Sequence, residues 1–276
     1  MTAVKTTPTP AKQDQPKSGM LFTVVAMVAC FVASTLVYKF VFGASSHFID
    51  GDNTKDPLPG DYFGTIYKGG FVVPMLLGLL FVVIVFVIER FITLTKASGG
   101  GNVDGFVRNI RTMLDRGDVS AAIAACDRQK GSVANVVRAG LTKYGEMQNA
   151  PGMDKDQKVL AIQKEIEEAT TLELPMLESN LSILATIASV ATLLGLFGTV
   201  LGMIRSFAAL ANAGAPDSTA LATGISEALI NTALGIGTSA IAIIAYNFFT
   251  GRIDALTYRI DEAGYSLTQT FAAKHN

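Results

Sequence analysis

Apolar residues fall into four long runs along this chain. Leu21–Tyr38 and Phe71–Ile88 contain no charged residue, none lies between Glu178 and Arg205, and none from Ala228 to Gly251. A hydrocarbon core of about 30 Å takes roughly 20 helical residues at about 1.5 Å each, and every run meets that length. Between the second and third runs the pattern changes. Apolar and charged positions recur at three- and four-residue spacing over Asn102–Leu114, Val119–Asp127, Val133–Tyr144 and Asp154–Leu174, which predicts four amphipathic helices. Gly99-Gly100-Gly101, Gly117-Asp118 and Asn149–Gly152 separate them, with Asp118 as the N-cap of the second. Pro175 predicts an interruption or kink on the approach to the third run.

The fold class expected is all-α: a polytopic membrane protein with four transmembrane helices and a cytoplasmic helical segment. Residues 1–20, rich in Pro, Thr and Lys, read as a disordered cytoplasmic tail. The first span, 21–43, also fits a signal peptide, but its apolar length exceeds the usual 7–15 residues of that element, which favours an anchor. A periplasmic loop (44–69), a second span (70–94) and a cytoplasmic helical domain (95–180) follow. The third span (181–211), a periplasmic turn (212–220), the fourth span (221–251) and a cytoplasmic C-terminal helix or tail (252–276) complete the chain.

Charge sets the orientation. Lys5, Lys12 and Lys17 precede the first span, and Arg252, Arg259 and Lys274 follow the last. The 44–69 loop offsets Lys55 and Lys68 with Asp50, Asp52, Asp56 and Asp61, and Asn212–Thr219 has no Lys or Arg. The pattern predicts both termini inside.

Composition narrows the chemistry. Half of the residues are hydrophobic and only 16% are charged, against about 25% in a soluble domain. The net charge of −1 lacks any basic cluster, so nucleic acid is not an expected partner. Cys30, Cys126, His47 and His275 stand apart from one another, without metal-ligand spacing and without a plausible disulfide. No cofactor, metal or enzymatic activity is expected. Glu165, Glu167 and Glu168 read as a solvated helix face.

The third and fourth spans carry the unusual residues. Gly195, Gly198 and Gly202 permit close backbone approach, Gly198 and Gly202 in the small-xxx-small spacing of packed membrane helices. Thr192, Thr199 and Ser206 recur every seven residues, and Thr232 and Ser239 do the same in the fourth span. These hydroxyls fit either local bonding to carbonyls one turn earlier or a polar seam. Glu227 and Asn231, four apart, share one helix face. A carboxylate in a span costs about 2.5–3.5 kcal/mol at mid-bilayer and normally faces a bundle interior or wet cavity, although Glu227 also fits an interfacial position. Arg205 fits either outward snorkelling or an ion pair with Glu227 of its own or a neighbouring subunit.

Two blocks carry a resemblance. Gly195-Leu-Phe-Gly-Thr-Val-Leu-Gly-Met-Ile-Arg-Ser-Phe207 and Ile225-Ser-Glu-Ala-Leu-Ile-Asn-Thr-Ala-Leu-Gly235, with Tyr246-Asn247 and the Glu89-Arg90 pair, resemble the MotA/TolQ/ExbB proton-channel family. The sequence is most similar to the ExbB branch, of a Bacteroidetes type with an extra N-terminal span. The resemblance implies a pentameric homo-oligomeric ring in the inner membrane around two single-span ExbD-like subunits, with H+ as coupling ion and a TonB-like protein energised for outer-membrane nutrient uptake. By motif position it makes Thr199 and Thr232 pore-facing and Glu227 the span-embedded glutamate. Thr192, Ser239 and Asn231 join them as expected pore-lining residues, and Gly235 joins the packing glycines. The titrating aspartate would belong to the ExbD-like partner.

Three departures accompany the resemblance. Ala191-Thr192-Leu193-Leu194-Gly195 stands where the family has A-P-L-L-G, Ile241 stands where many members have proline, and Leu21–Gly43 is additional. Straighter helices are the expectation. A TolQ-like envelope-integrity subunit or a gliding or flagellar stator is the alternative within the family. A structural membrane scaffold or a solute transporter is the alternative outside it, although no inverted repeat relates the two halves.

Overall fold

The computed structural model describes residues 17–212 and 218–274. The tail expectation for 1–16, the centre of the 212–220 turn and His275 lie outside the described residues. Among the described residues every extended element is helical, apart from one isolated bridge between Phe48 and Pro57.

The first helix, α1 (Lys17–Val37), begins four residues before the apolar run and continues into a wider turn over Tyr38–Phe42. It packs on α3 (Val72–Ala97), the second membrane helix. Ser34 fixes that contact, its hydroxyl bonding the carbonyls of both Phe31 and Pro74 at 2.9 Å. Gly78 of α3 faces the Phe31 ring, where a Cβ has no room. The extra span therefore has a specific seat, with an apolar face on its other side formed by Leu21, Val25, Val28 and Val32.

Between α1 and α3 lies a folded loop. Short helix α2 (Tyr62–Tyr67) is capped by Asp61, which accepts from the Phe63 and Gly64 amides and sits 2.7 Å from His47 Nδ1. Tyr38 stacks on Tyr67, and its hydroxyl donates to the Tyr67 carbonyl.

Past α3, the chain builds a helical bundle: α4 (Val103–Asp115), α5 (Val119–Gln129), α6 (Ser132–Gln148) and α7 (Lys155–Glu178). All four predicted amphipathic helices appear, and Asp118 accepts from the Ala121 amide as its cap. Leu141, Tyr144, Ile162 and Leu114 form the centre of the bundle core. Glu167 and Glu168 lie exposed on α7, Glu168 pairing with Lys164, and Glu165 is half-buried. Cys30 and Cys126 are both buried free thiols.

The break before the third membrane helix comes later than expected. Helix α7 runs through Pro175 and stops at Glu178, and α8 (Leu181–Asn212) starts after Ser179-Asn180. Proline removes a single ladder bond near the helix end, whereas Asn180 takes a left-handed φ of 62° that asparagine tolerates better than most residues. The last carbonyls of α7 are satisfied from outside. Arg90, with a side chain only 3% exposed, donates to the Met176 and Leu177 carbonyls and is clamped by Glu89 at 2.5 Å.

The fourth span and the C-terminal segment belong to one element: α9 (Ser218–Lys274) is a single 57-residue helix, continuous through Gly251. Its buried positions Phe249, Ile253, Leu256, Ile260, Ala263, Leu267 and Phe271 keep three- and four-residue spacing past Gly251. The same stripe first faces α3 and α8 and then closes the bundle core. Lys274 ends it by donating to the Leu114 and Asp115 carbonyls at the end of α4. Among the described residues four helices are long and apolar enough to cross a membrane, and the protein is a multi-pass, all-α membrane protein.

Candidate functional site

Helices α8 and α9 pack antiparallel along their whole apolar length, and glycine makes the approach possible. A Cβ on Gly195 would meet the Asn231 carbonyl at 2.9 Å and Gly235 Cα at 3.1 Å, and one on Gly235 would meet the Ala191 carbonyl at 2.6 Å. Gly202 faces the Gly224 carbonyl and Ala228, at 2.9 and 3.0 Å from its hypothetical Cβ. Gly198 receives the Asn231 side chain instead. Gly195, Gly198, Gly202 and Gly235 are thus all packing positions.

With the backbones so close, short hydroxyl side chains reach across. Thr199 and Thr232 meet oxygen to oxygen. Thr199 Oγ1 also lies 3.3 Å from the carbonyls of Gly195, one turn back, and Ala228, across the crossing. Ser206 bonds the Gly202 carbonyl at 3.1 Å and reaches toward Leu221 at 3.4 Å, and Ser239 donates to the Ala188 carbonyl. Local bonding and a polar seam, separate readings of the sequence, coexist here.

Thr192 does not join that seam. It is exposed on α8.

About one and a half turns from the threonines, on the side of the 44–71 loop, stands an ion pair. Arg205 Nη1 is 2.5 Å from Glu227 Oε1 within one chain, with the glutamate side chain 13% exposed and the arginine 50%. The turn entering α3 completes this region. Gly70 has φ +78°, and a Cβ there would collide with Glu227 Oε1. The Arg205 guanidinium lies 5.8 Å from the centre of the Phe71 ring. Asn231, 1% exposed, donates Nδ2–H to the Gly69 carbonyl at 2.9 Å, while its Oδ1 is buried without a partner. Glu227 and Asn231 do share a face, and that face docks on Gly69-Gly70.

Sequence reasoning named the residues on α8 and α9 and missed the Gly69-Gly70-Phe71 turn against them. The one available signal was the Gly-Gly pair just before an apolar run. Among the described residues no cluster of metal-binding side chains occurs. The arrangement can relay protons or hold water through hydroxyls, which both donate and accept, beside a fixed ion pair. It contains no nucleophile with an adjacent base.

Comparison with known proteins identifies relatives of this chain. Residues 128–262 match the model of the MotA/TolQ/ExbB proton channel family. The Tol-Pal system protein TolQ of Pseudomonas aeruginosa is 37% identical over 139 residues, 48% of this chain and 60% of that protein. The biopolymer transport protein ExbB of Pseudomonas putida is 38% identical over 87 residues, 32% of this chain and 26% of that protein. A putative biopolymer transport protein ExbB homolog of Methanothermobacter thermautotrophicus is 28% identical over 199 residues, 70% of this chain and 66% of that protein. The matched region spans about 60% of the length of the Pseudomonas aeruginosa relative and less of the Pseudomonas putida one.

Proposed function

We propose that this chain, a member of the MotA/TolQ/ExbB proton channel family, is the ring subunit of an inner-membrane motor driven by the proton-motive force. The observation that carries the reading is the Thr199–Thr232 hydroxyl contact at the glycine-paired crossing of α8 and α9. A single copy of this seam encloses no conduit. Several copies around an axis would place the hydroxyls beside a partner helix, and a pentamer around two single-span ExbD-like subunits is the assembly we infer. The coupling ion is H+, and the partner supplies the titrating carboxylate that this seam lacks. Thr199 and Thr232 position water against that carboxylate, with Glu227 at the approach. Thr192, exposed on α8, and Ser239 belong to the same conduit, whereas Asn231 holds the loop turn in place.

The topology proposed has both termini in the cytoplasm, the α4–α7 bundle inside and the 44–71 loop in the periplasm. An ExbB-type role, driving a TonB-like protein in outer-membrane uptake, is the first reading. The alignment with the Pseudomonas aeruginosa TolQ favours a Tol-type envelope role as the second. Isolation of the detergent-solubilised native complex, with subunits counted and partners identified by native mass spectrometry, decides between them. Co-purification of a single-span, acid-bearing partner with a TonB-like protein is expected. A bare ring without any single-span partner would make the chain a scaffold.

A further inference from the structure

The hydroxyl pair of the seam belongs to α8 and α9, yet α1 is tied to the two places that set where those helices sit. At the loop end the Tyr38 ring stacks on Tyr67, 4.7 Å between centres, and the Tyr38 hydroxyl donates to the Tyr67 carbonyl at 2.9 Å. The same carbonyl accepts the Gly70 amide at 3.3 Å and so closes the turn into α3. That turn presents the Gly69 carbonyl to Asn231 and sets the Gly70 backbone against the Glu227 carboxylate. Tyr38 therefore holds the oxygen on which the docking of Glu227 and Asn231 depends.

The second tie lies at the bundle end, roughly 22 Å away along the helix. Thr23 donates to Asn180 Oδ1 at 3.2 Å, and Asn180 is the left-handed elbow between α7 and α8. The Asn180 amide passes the contact on: its Nδ2 lies 3.4 Å from Glu89 Oε2, and Glu89 clamps the Arg90 that closes α7. Thr35 marks the contrast. Its hydroxyl bonds the Phe31 carbonyl one turn back at 2.9 Å, which satisfies a hydroxyl without leaving the helix. Thr23 and Tyr38 reach outside their own helix, and between them Ser34 and Phe31 key α1 to α3 at Pro74 and Gly78. A plain anchor with valine at 23 and phenylalanine at 38 would have no polar group there to satisfy.

We propose that the first span is a brace for the seam, with Tyr38 and Thr23 as positioning residues. Thr23 fixes the elbow from which α8 departs, and Tyr38 fixes the turn on which α9 docks through Glu227 and Asn231. Because α1 and α3 are keyed together, both ties act on one stiff pair of helices. The height at which Thr199 meets Thr232 follows from them. The expected effect on flux rests on the proposed ion-conducting ring.

The test uses the full-length complex reconstituted in vesicles, with Tyr38→Phe, Thr23→Val, Thr23→Ser and, as control, Thr35→Val. Hydrogen–deuterium exchange over residues 66–73 and 177–183 reads the two ties, and an entrapped pH dye reads proton uptake. One net hydrogen bond is worth about fivefold. Tyr38→Phe should speed exchange over 66–73 by that factor, and Thr23→Val over 177–183, each with slower uptake and unchanged oligomer mass. Thr23→Ser, which keeps the hydroxyl, and Thr35→Val should match the parent in both readouts. Unchanged exchange in Tyr38→Phe and Thr23→Val overturns the brace. Thr199→Val with Thr232→Val is measured in parallel. If that pair abolishes uptake while Tyr38→Phe and Thr23→Val leave it undiminished, the brace alone fails. If exchange rises at both ties and the threonine pair proves dispensable for uptake, the proposed function alone fails.

Discussion

The Arg205 guanidinium and the Glu227 carboxylate face each other across the α8–α9 crossing at 2.5 Å, and the two ends of that bridge differ in environment. Glu227 is mostly enclosed by the Gly70 turn, whereas Arg205 is half open. Removing the arginine therefore strands a carboxylate with little water, while removing the glutamate frees an arginine that can extend outward. Arg205→Gln should destabilise the solubilised protein by about 1–2 kcal/mol, discounted for the exposed partner. Glu227→Gln should cost less, and the double variant should recover part of the Arg205→Gln loss. A thermal double-mutant cycle measures this, and additive effects would remove the pair from the stability of the crossing.

Valine is nearly isosteric with threonine but has no hydroxyl. Thr199→Val with Thr232→Val should leave oligomer mass unchanged and abolish proton uptake by reconstituted complexes, read with an entrapped pH dye. The same change at Thr192, which makes no contact with α9 hydroxyls, should have a smaller effect. Undiminished uptake in the double variant would falsify the hydroxyl pair as part of the conduit.

The glycines make a sharper steric prediction. Gly235→Ala places a methyl 2.6 Å from the Ala191 carbonyl and 2.8 Å from Gly195 Cα, so the helices must separate. A loss of about 1–3 kcal/mol is expected, the range for overpacking. Gly251→Ala meets no atom within 4 Å and gains about 0.5–1 kcal/mol of helix propensity. Opposite shifts in melting temperature are the expected result.

Asp61 gives the 44–71 loop an acid limit. The bond from His47 and then the Gly64 amide hold its carboxyl below the usual carboxylate range. A depressed value means that its contribution is complete above the unfolded carboxylate's titration near pH 4 (about) and is lost as pH falls through the lower folded value. Amide exchange at Phe63 and Gly64 should accelerate across that acidic window. Asp61→Asn, which keeps a capping oxygen, should flatten the dependence, and an unchanged profile would disprove the latch.

Arg90 closes the end of α7 from α3. Arg90→Ala removes the cation beside Glu89, which keeps the Thr93 hydroxyl and the Asn180 amide, and takes the donor from two helix-end carbonyls, a loss of about 3 kcal/mol, the lower end for a broken buried pair. Lysine lacks the fork that reaches both sides, so Arg90→Lys should rescue little. Limited proteolysis near Ser179-Asn180, faster in both variants, is the readout.

Most of the helical plan was legible because amphipathic spacing and apolar length are local signals. The crossing of α8 and α9 was legible too, since glycine and threonine at helical spacing have few other uses in a span. The partners of those residues were not. Asn231 bonds Gly69 across 162 positions and His47 finds Asp61 through a folded loop, and no periodicity encodes either contact. Pro175 misled because it removes a single ladder bond near the end of α7, and the chain turns at Asn180 instead. In α9 the stripe from Phe249 to Phe271 is held by tertiary burial that outweighs the local preference of Gly251.

That stripe makes α9 a strut. About 85 Å of unbroken helix ties Glu227 and Thr232 at one end to Phe271 and Lys274 at the other. A tilt or twist at the threonines cannot be absorbed at a hinge near Gly251, because the helix has none there. It must be carried as leverage into the core of the bundle, so a displacement at the seam and strain in the α4–α7 bundle are two readings of one movement.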